Sequence, residues 1–555
     1  MALTREIAVN PFSTEWGNMS WGHITSKDTL TWETDTDVPA LEPDQEYDCE
    51  GVFTGCWIPS DNTEDGTLRV VYSSVKQLPF HWSTPPYPKS AAGVSMATST
   101  DGGKTWSKSQ NNPFLEGEPA DLQVTGFRDP YVSSWPSMDT VRKTIRPALY
   151  ALVSGGIVGK GPTSFLYEVQ SEDASNWKYL GPLVDIPARF EHSRKWCGNF
   201  GVNWECVNFM TLQSGRESRD FLIIGAEGDV EKEHVKNYPQ LKSRLQRTIR
   251  GQLWMSGRLV RDEGHVKFRH EFGGFLDHGP FYAANSFVDP RTNRRIVYGW
   301  LPEEDLPSDL IQSKGWNGSL AIPREIFLLR LSKVKGALRS KLTDVSCFQS
   351  TTEADGSTTL LTLGIRPLEE FKRLRDTCSR KMHMEGGIKL PFEHAWTKYS
   401  LFDTTSSAWE LEAVVSVLPG CETFGFRIHE DPMTSTHVSV IFSVHDESIT
   451  VDRSASTTDS RINTCPDAGP FTLFSMASAA GSDASSLEQL RLRLFSDGHV
   501  LEVFANDRFA LATMIYSDGQ RPGVGGISAL ASGAPSTIVL DSVRLWDGLE
   551  AVTHR

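Results

Sequence analysis

Over the first two thirds of the chain, apolar positions come in short runs broken by turn-forming residues. LRVVYSSV (68–75), ALYALVSGG (148–156), DFLIIGA (220–226) and RIVYGWL (295–301) are separated by Gly, Pro, Asp and Asn, the pattern of strands joined by tight turns. The region is expected to be all-β. Within it a loose unit recurs: WGHITSKDTLTW at 21–32, GVSMATSTDGGKTW at 93–106 and FLYEVQSEDASNW at 165–177. Each pairs an apolar strand with Ser-x-Asp and a following Trp. The Ser and Asp side chains can bond the backbone of the turn while the Trp covers the sheet beneath. A repeated small sheet that cannot bury both faces alone suggests propeller blades packed radially around an axis.

After IPREIFLLRL (322–331) the pattern changes. RPLEEFKRLRDTCSRK (366–381) has the Leu and Phe spacing and flanking charges of a helix, and 336–395 reads as a connector following a propeller domain over 1–335. From 396 to 555 the runs WELEAVVSVL (409–418), HVSVIFSVH (437–445), LRLRLFSDGHVLEVFAN (490–506) and STIVLDSVRLW (536–546) alternate as strands with one buried face. They predict a second all-β domain, a sandwich. The Ser-, Thr-, Ala- and Gly-rich stretch 454–486 reads as long inserted loops.

Composition narrows the function classes. At 555 residues the chain exceeds what one hydrophobic core usually supports, in keeping with two domains. No uninterrupted apolar stretch is long enough to span a bilayer. A net charge of −15 with no compensating Lys/Arg block argues against nucleic-acid and membrane-surface partners. The eight cysteines form no C-x-x-C pair and read mostly as reduced, buried thiols; neither a cofactor nor a metal is expected. The first residues, MALTREIAVN, show no secretory signal, which taken at face value places the protein in the cytoplasm. The glycosylation sequons at Asn18 and Asn317 weigh toward secretion. The 28 Phe, 16 Trp and 12 Tyr suit sugar binding, although core packing accounts for most of them.

Two acids stand in a suggestive context. In Phe127-Arg128-Asp129-Pro130, the adjacent cation favours an ionised Asp129, which could hold sugar hydroxyls; a plain turn Asp before Pro is the bland reading. In NWECVNF (203–209), Glu205 sits between Trp204 and Cys206, neighbours that would desolvate it and favour a proton-donating form. A solvent-facing glutamate on an edge strand is the alternative. Cleavage of a glycosidic bond needs a carboxyl group to protonate the leaving oxygen and another to attack or to activate water.

These pieces together resemble glycoside hydrolase family 32, the family of invertases, inulinases and fructosyltransferases. The matching segments, in order, are NPFSTEWGNMSWGHITSKDTLTW (10–32), GVFTGCW (51–57), FRDP (127–130), WECVNF (204–209), GWNGSLAIPRE (315–325) and LRLFSDGHVLEVFANDR (492–508). The resemblance implies a five-bladed β-propeller carrying the active site, followed by a β-sandwich. It implies retaining action on the small sugar sucrose or on fructans, with fructosyl transfer when sucrose replaces water. It assigns Glu205 as general acid/base and Asp129 as the stabiliser that binds fructosyl hydroxyls, with Arg128 beside it. Trp16 matches a fructose-pocket aromatic, and Phe53-Thr54 matches a Phe-Ser pair lining that pocket. LPFHWS (78–83) and DHGPFYAA (277–284) look closest to fungal members.

One departure stands out. The family pattern opens with an Asn-Asp-Pro strand whose Asp attacks the anomeric carbon, whereas here Ala8-Val9 precede Asn10-Pro11 and no Asn-Asp-Pro occurs. The match begins mid-motif near residue 10, so the expectation is a sequence lacking the innermost strand of the first blade. Asp35 and Asp37, in TDTDVPALEPDQEYD (34–48), lack the rigid placement a nucleophile needs, and no nucleophile is nominated. A catalytically impaired sugar-binding homologue is the second reading. A sialidase-like enzyme, prompted by STDGGKTW (99–106), ranks below both because no Arg triad accompanies it.

Overall fold

The computed structural model describes residues 2–8, 19–34, 38–59, 66–171, 173–228, 230, 247–390, 397–477, 485–518 and 522–549, the first of these segments as backbone only. The protein is a five-bladed β-propeller followed by a β-sandwich. Blade I contains Ala2–Ala8, Met19–Thr25 and Glu33–Thr34, with Ala2–Ala8 antiparallel to Met19–Thr25. Blade II runs Gly51–Trp57, Leu68–Val75, Ala92–Ser99 and Ser107–Lys108, and Met19 joins it to blade I through one parallel pairing with Gly51. Blade III is Val124–Ser134, Leu149–Ile157, Gly161–Val169 and Trp177–Pro182. Blade IV is Asn203–Ser214, Glu217–Glu227, Arg250–Asp262 and His265–Phe275. Blade V is built on Tyr282–Val288, Arg295–Leu301, Arg324–Ala337 and Thr358–Pro367.

The first strands of blades III and IV are buried along nearly their whole length, because each is covered on both faces by its neighbours; their near-continuous apolar runs reflect that. Trp135, after the first strand of blade III, stacks on Phe209 of blade IV at 4.4 Å and donates its indole N–H to Asp220 at 3.0 Å. A stacked aromatic pair of this kind is worth about 0.5–1.5 kcal/mol beyond its burial.

The recurring Ser-x-Asp turns form as the sequence predicts. Ser99 Oγ accepts the Gly103 N–H at 2.9 Å, Asp101 accepts the Thr105 N–H at 3.0 Å, and the Trp106 indole N–H donates to Gly103 O at 2.9 Å. Ser26 and Asp28 accept the backbone N–H groups of Thr29 and Thr31 at 2.8 Å each. In the third copy Ser171 Oγ accepts Asn176 N–H at 3.0 Å and the Trp177 indole N–H donates to Ala174 O at 2.9 Å.

The sandwich packs two six-stranded sheets. One contains Arg380–Lys389, Ile538–Asp547, Trp409–Val417, Leu490–Asp497, Val500–Ala505 and Phe509–Met514, the other Thr397–Asp403, Gly526–Gly533, Cys421–Glu430, Val438–Ser443, Ser448–Asp452 and Asp467–Pro470.

Two expectations change. The stretch 336–395 is more than a connector: Gln349–Thr352 and Thr358–Pro367 extend blade V, and Arg380–Lys389 edges a sandwich sheet. Its expected helix shrinks to a 3-10 turn, Glu369–Arg373, and one helical turn, Leu374–Thr377, because sheet pairing claims the residues on either side. The inserted-loop stretch 454–486 contributes the strands Asp467–Pro470 and Phe474–Ala477, the latter pairing with the end of Arg324–Ala337 of blade V. Backbone pairing holds these short strands without an alternating apolar pattern.

Buried charge joins the two bodies. Arg324, fully buried, donates to Asp277 at 2.7 Å and to Glu502 of the sandwich at 2.8 Å, with its guanidinium 4.1 Å from the Phe281 ring centroid. Asp277 also accepts the Ala512 N–H at 3.1 Å, and Gly279 approaches so closely that a Cβ there would lie 1.6 Å from Ala512 O. Elsewhere at the junction, Glu447 accepts from Arg339 and Ser340 N–H, from the Thr472 hydroxyl at 2.7 Å and from Lys195 at 3.1 Å.

Arg324→Met leaves Asp277 and Glu502 buried without their cation and is expected to lower unfolding free energy by about 3–5 kcal/mol in urea titrations; a loss under about 1 kcal/mol contradicts this role. Burial pushes the Glu447 carboxyl up, but the hydroxyl and N–H donors outweigh it and bring it down to about 2 from an ordinary 4.5. A depressed folded value stabilises fully above pH 4.5, and that contribution disappears as pH falls through about 2. Glu447→Gln should therefore flatten the fall in Tm between those pH values, and an unchanged acid limb counts against it.

Candidate active site

The first strands of blades II to V each carry a β-bulge at the same level. The pairing register slips between Val52 and Gly55, Arg128 and Tyr131, Glu205 and Asn208, and Tyr282 and Asn285. Asp129, Cys206 and Ala283, the first unpaired residues of three of these bulges, have left-handed φ values of 60°, 48° and 51°. A bulge turns side chains out of the strict in-out alternation of a strand and commonly sits beside an active site. Here it aims side chains of successive blades at one another.

Arg128, Glu205 and Tyr282, the residues just before the bulges of blades III, IV and V, are linked in a row, each 77 positions from the next. Arg128 donates to Glu205 Oε1 from Nε at 2.8 Å and from Nη2 at 2.6 Å. The Tyr282 hydroxyl donates to Glu205 Oε2 at 2.7 Å. Nη2 of Arg128 also reaches Glu227 Oε2 at 3.0 Å. Glu227 is held further by Asn203 Nδ2 at 2.9 Å and by His81 Nε2 at 3.2 Å. Asp129 sits one residue along: its N–H donates to Ser73 Oγ at 2.6 Å, and its Oδ2 accepts the Cys206 N–H at 3.1 Å and lies 4.0 Å from Arg128 Nε.

Burial would strip the proton from Arg128, but the charges of Glu205, Glu227 and Asp129 reverse that and hold it firmly as a cation. Glu227, although buried, stays below the ordinary carboxylic range through its His81 bond and the Arg128 charge. Burial first, then the Glu205 and Glu227 carboxylates, raise the Tyr282 hydroxyl well above its ordinary value, so it remains a neutral O–H. Of the three ion-paired carboxylates, Glu205 is the accessible one, its side chain 19% exposed against 5% for Asp129 and 6% for Glu227.

The structure thus joins Arg128, Asp129 and Glu205. The expected surroundings of Glu205 are corrected: the Trp204 indole points into the core, bonding Phe200 O at 2.9 Å, and Cys206 turns toward Asp129. The carboxylate meets Arg128 and Tyr282 instead, because the bulge separates its direction from those of its chain neighbours. Phe53 and Thr54 form the blade II bulge. Phe53 packs on Phe80 at 5.8 Å, and Phe80 underlies the Arg128 guanidinium at 5.1 Å. Trp16, Asp35 and Asp37 lie outside the described residues. Sequence reasoning quoted LPFHWS and DHGPFYAA without assigning Phe80, His81 or Tyr282, and it missed Glu227 and Asn203. Among the described residues no group of three or more His, Cys, Asp or Glu could hold a metal ion.

Comparison with known proteins places this geometry in a family. The family model for the glycosyl hydrolases family 32 N-terminal domain matches residues 8–341, and that for the family 32 C terminal matches residues 370–547. The chain belongs to glycosyl hydrolase family 32. It is 30% identical over 332 residues to a fructan 6-exohydrolase of Beta vulgaris, the match covering 58% of this chain and 48% of that protein. The chain spans about half the length of the first curated relatives it matches. The solved β-fructofuranosidase of Aspergillus kawachii, complexed with glycerol, superposes with a TM-score of 0.84 at 28% identity, covering 96% of this chain and 89% of that one. The fructosyltransferase of A. japonicus shares the fold at a TM-score of 0.83 and 23% identity over 100% of this chain and 95% of that one.

Gly126 tests how tightly the row is held. A Cβ there would meet Arg128 Nη1 and Asn203 Oδ1 at 2.8 Å each. The end of a long side chain ordinarily moves aside, but this guanidinium is pinned between two carboxylates. Gly126→Ala is expected to cost about 1–3 kcal/mol in chemical denaturation; unchanged stability means that Arg128 is not rigidly placed.

Proposed function

We propose that the protein is a retaining glycoside hydrolase of the β-fructofuranosidase type, acting on sucrose or fructans and transferring the fructosyl group when a sugar takes the place of water. The observation that carries this reading is the accessible Glu205 carboxylate, held at both oxygens by Arg128 and Tyr282 beside the axial Asp129. Glu205 protonates the departing glycosidic oxygen and afterwards takes a proton from the incoming water or sugar hydroxyl. Asp129 accepts hydrogen bonds from fructosyl hydroxyls, Arg128 fixes both acids, and Phe53 and Thr54 wall the fructosyl side. The family relatives named above support the same substrate class.

The test is fructose release from sucrose and inulin by the 555-residue chain and by a version extended with the reading frame upstream of Met1. Release by either supports the enzyme, and Glu205→Gln should then lower kcat by about 10²–10⁴-fold. Fructose binding without release by either contradicts the enzyme reading. Neither binding nor release overturns the fructosyl site as well.

A further inference from the structure

A bulge releases backbone N–H groups from the strand ladder, and a buried N–H without a partner is costly. Around the propeller axis, side chains of the preceding blade take up N–H groups at and beside the bulges. Ser73 of blade II accepts the Asp129 N–H, Asp129 of blade III accepts the Cys206 N–H, and Ser154 of the same blade accepts the Val207 N–H at 2.9 Å. Blade IV serves blade V in the same way: Gln252 Oε1 accepts the Ala284 N–H at 3.1 Å, and Asn208 Oδ1 accepts the Ser286 N–H at 2.7 Å.

The Asn208 amide is buried and makes every hydrogen bond it can. Beyond that N–H, Oδ1 accepts the Ser286 hydroxyl at 2.8 Å, and Nδ2 donates to Cys206 O at 3.0 Å and to Ala284 O at 3.4 Å. One side chain thus ties the blade IV bulge to that of blade V. Gln252, fully buried, grips Ala284 from the third strand of blade IV, so Ala284 is held at its N–H by one amide and at its C=O by another. Tyr282 lies two residues upstream. Its hydroxyl end rests on Gly225, where a Cβ would lie 3.1 Å from both the ring Cζ and the hydroxyl oxygen. Gly225 pairs with Glu205 on one side and Gln252 on the other, and its missing side chain leaves the space that the phenol occupies.

We infer that Asn208 and Gln252 are positioning residues for proton transfer, acting on Glu205 through Tyr282. Oε1 of Glu205 faces two guanidinium N–H groups, which donate and never accept, so a protonated Glu205 carries its proton on Oε2. Oε2 is the oxygen that meets the Tyr282 hydroxyl, and the phenol stays on it because its backbone is clamped to the blade that bears Glu205. A hydrogen bond weakens steeply with misalignment, so a shift of the Ala284 backbone releases it. The inference rests on the reading of Glu205 as the proton donor.

The test follows the Tyr282 hydroxyl by nuclear magnetic resonance in protein isotope-labelled at the tyrosine Cζ. The Tyr282 signal is the one lost in Tyr282→Phe, and Glu205→Gln should shift it by changing the acceptor of its O–H. Asn208→Ala and Gln252→Met should each remove that response, with Gln252→Met deciding the matter where Asn208→Ala does not fold. Thr163→Val, which deletes an equally buried hydroxyl bonded to Val184 O in blade III, should leave the response intact. The inference is overturned by a Tyr282 signal indifferent to Glu205→Gln, by one that still responds fully in a folded clamp variant, or by one that Thr163→Val disturbs equally. In whichever version of the chain releases fructose, Asn208→Ala should lower kcat by about 10–10²-fold, with no further loss when Tyr282→Phe is added; additive losses overturn the route through Tyr282. The expected resonance behaviour without fructose release from any version leaves the clamp standing and removes the enzyme reading alone.

Discussion

A guanidinium with almost no access to water sits where three blades meet, and the site is organised around its charge. Arg128 touches Glu205 and Glu227 directly and has Asp129 close by. Buried carboxylates without a cation would repel one another and take up protons; buried arginine without carboxylates would be equally costly. The cluster is stable only as a whole, so the blades that contribute its members must sit in register. The bulges meet that requirement by giving each inner strand one place where a side chain departs from strict alternation and faces the next blade.

The parts of this arrangement that depend on local chemistry were legible in the sequence. Ser-x-Asp turns satisfy their own backbone within a few residues, so three copies could be read directly. Sandwich strands such as Trp409–Val417 show their buried face by alternation. The row of Arg128, Glu205 and Tyr282 could not be read in the same way. Its common feature is a backbone slip at a constant spacing of 77 residues, and the residues involved share no chemistry beyond the buried aromatic before each of them: Phe127, Trp204 and Phe281. Glu227 was missed because it ends an apolar run, Glu217–Glu227, and gains meaning only from partners on two other blades. The helix expected at 366–381 is shortened to 369–377 for the converse reason, since pairing at both ends outweighed a favourable local pattern.

The placement of the remaining motifs explains why they lie far apart in the chain. IPRE supplies Arg324, DHGPFYAA supplies Asp277, and VLEVF supplies Glu502; they meet at the propeller–sandwich junction rather than in the pocket. DHGPFYAA does both jobs, since its Asp277 anchors the junction and its Tyr282 holds Glu205. The sandwich therefore bears on the site mechanically, by fixing the segment from which Tyr282 extends.

The most direct measurement of the central claim is a crystal structure of the protein with fructose. The account predicts one furanose ring at the axial bulges, its hydroxyls within hydrogen-bonding distance of the Asp129 carboxylate and its anomeric end toward Glu205 Oε2. A ring bound elsewhere, with the row from Arg128 to Tyr282 unoccupied, would contradict it.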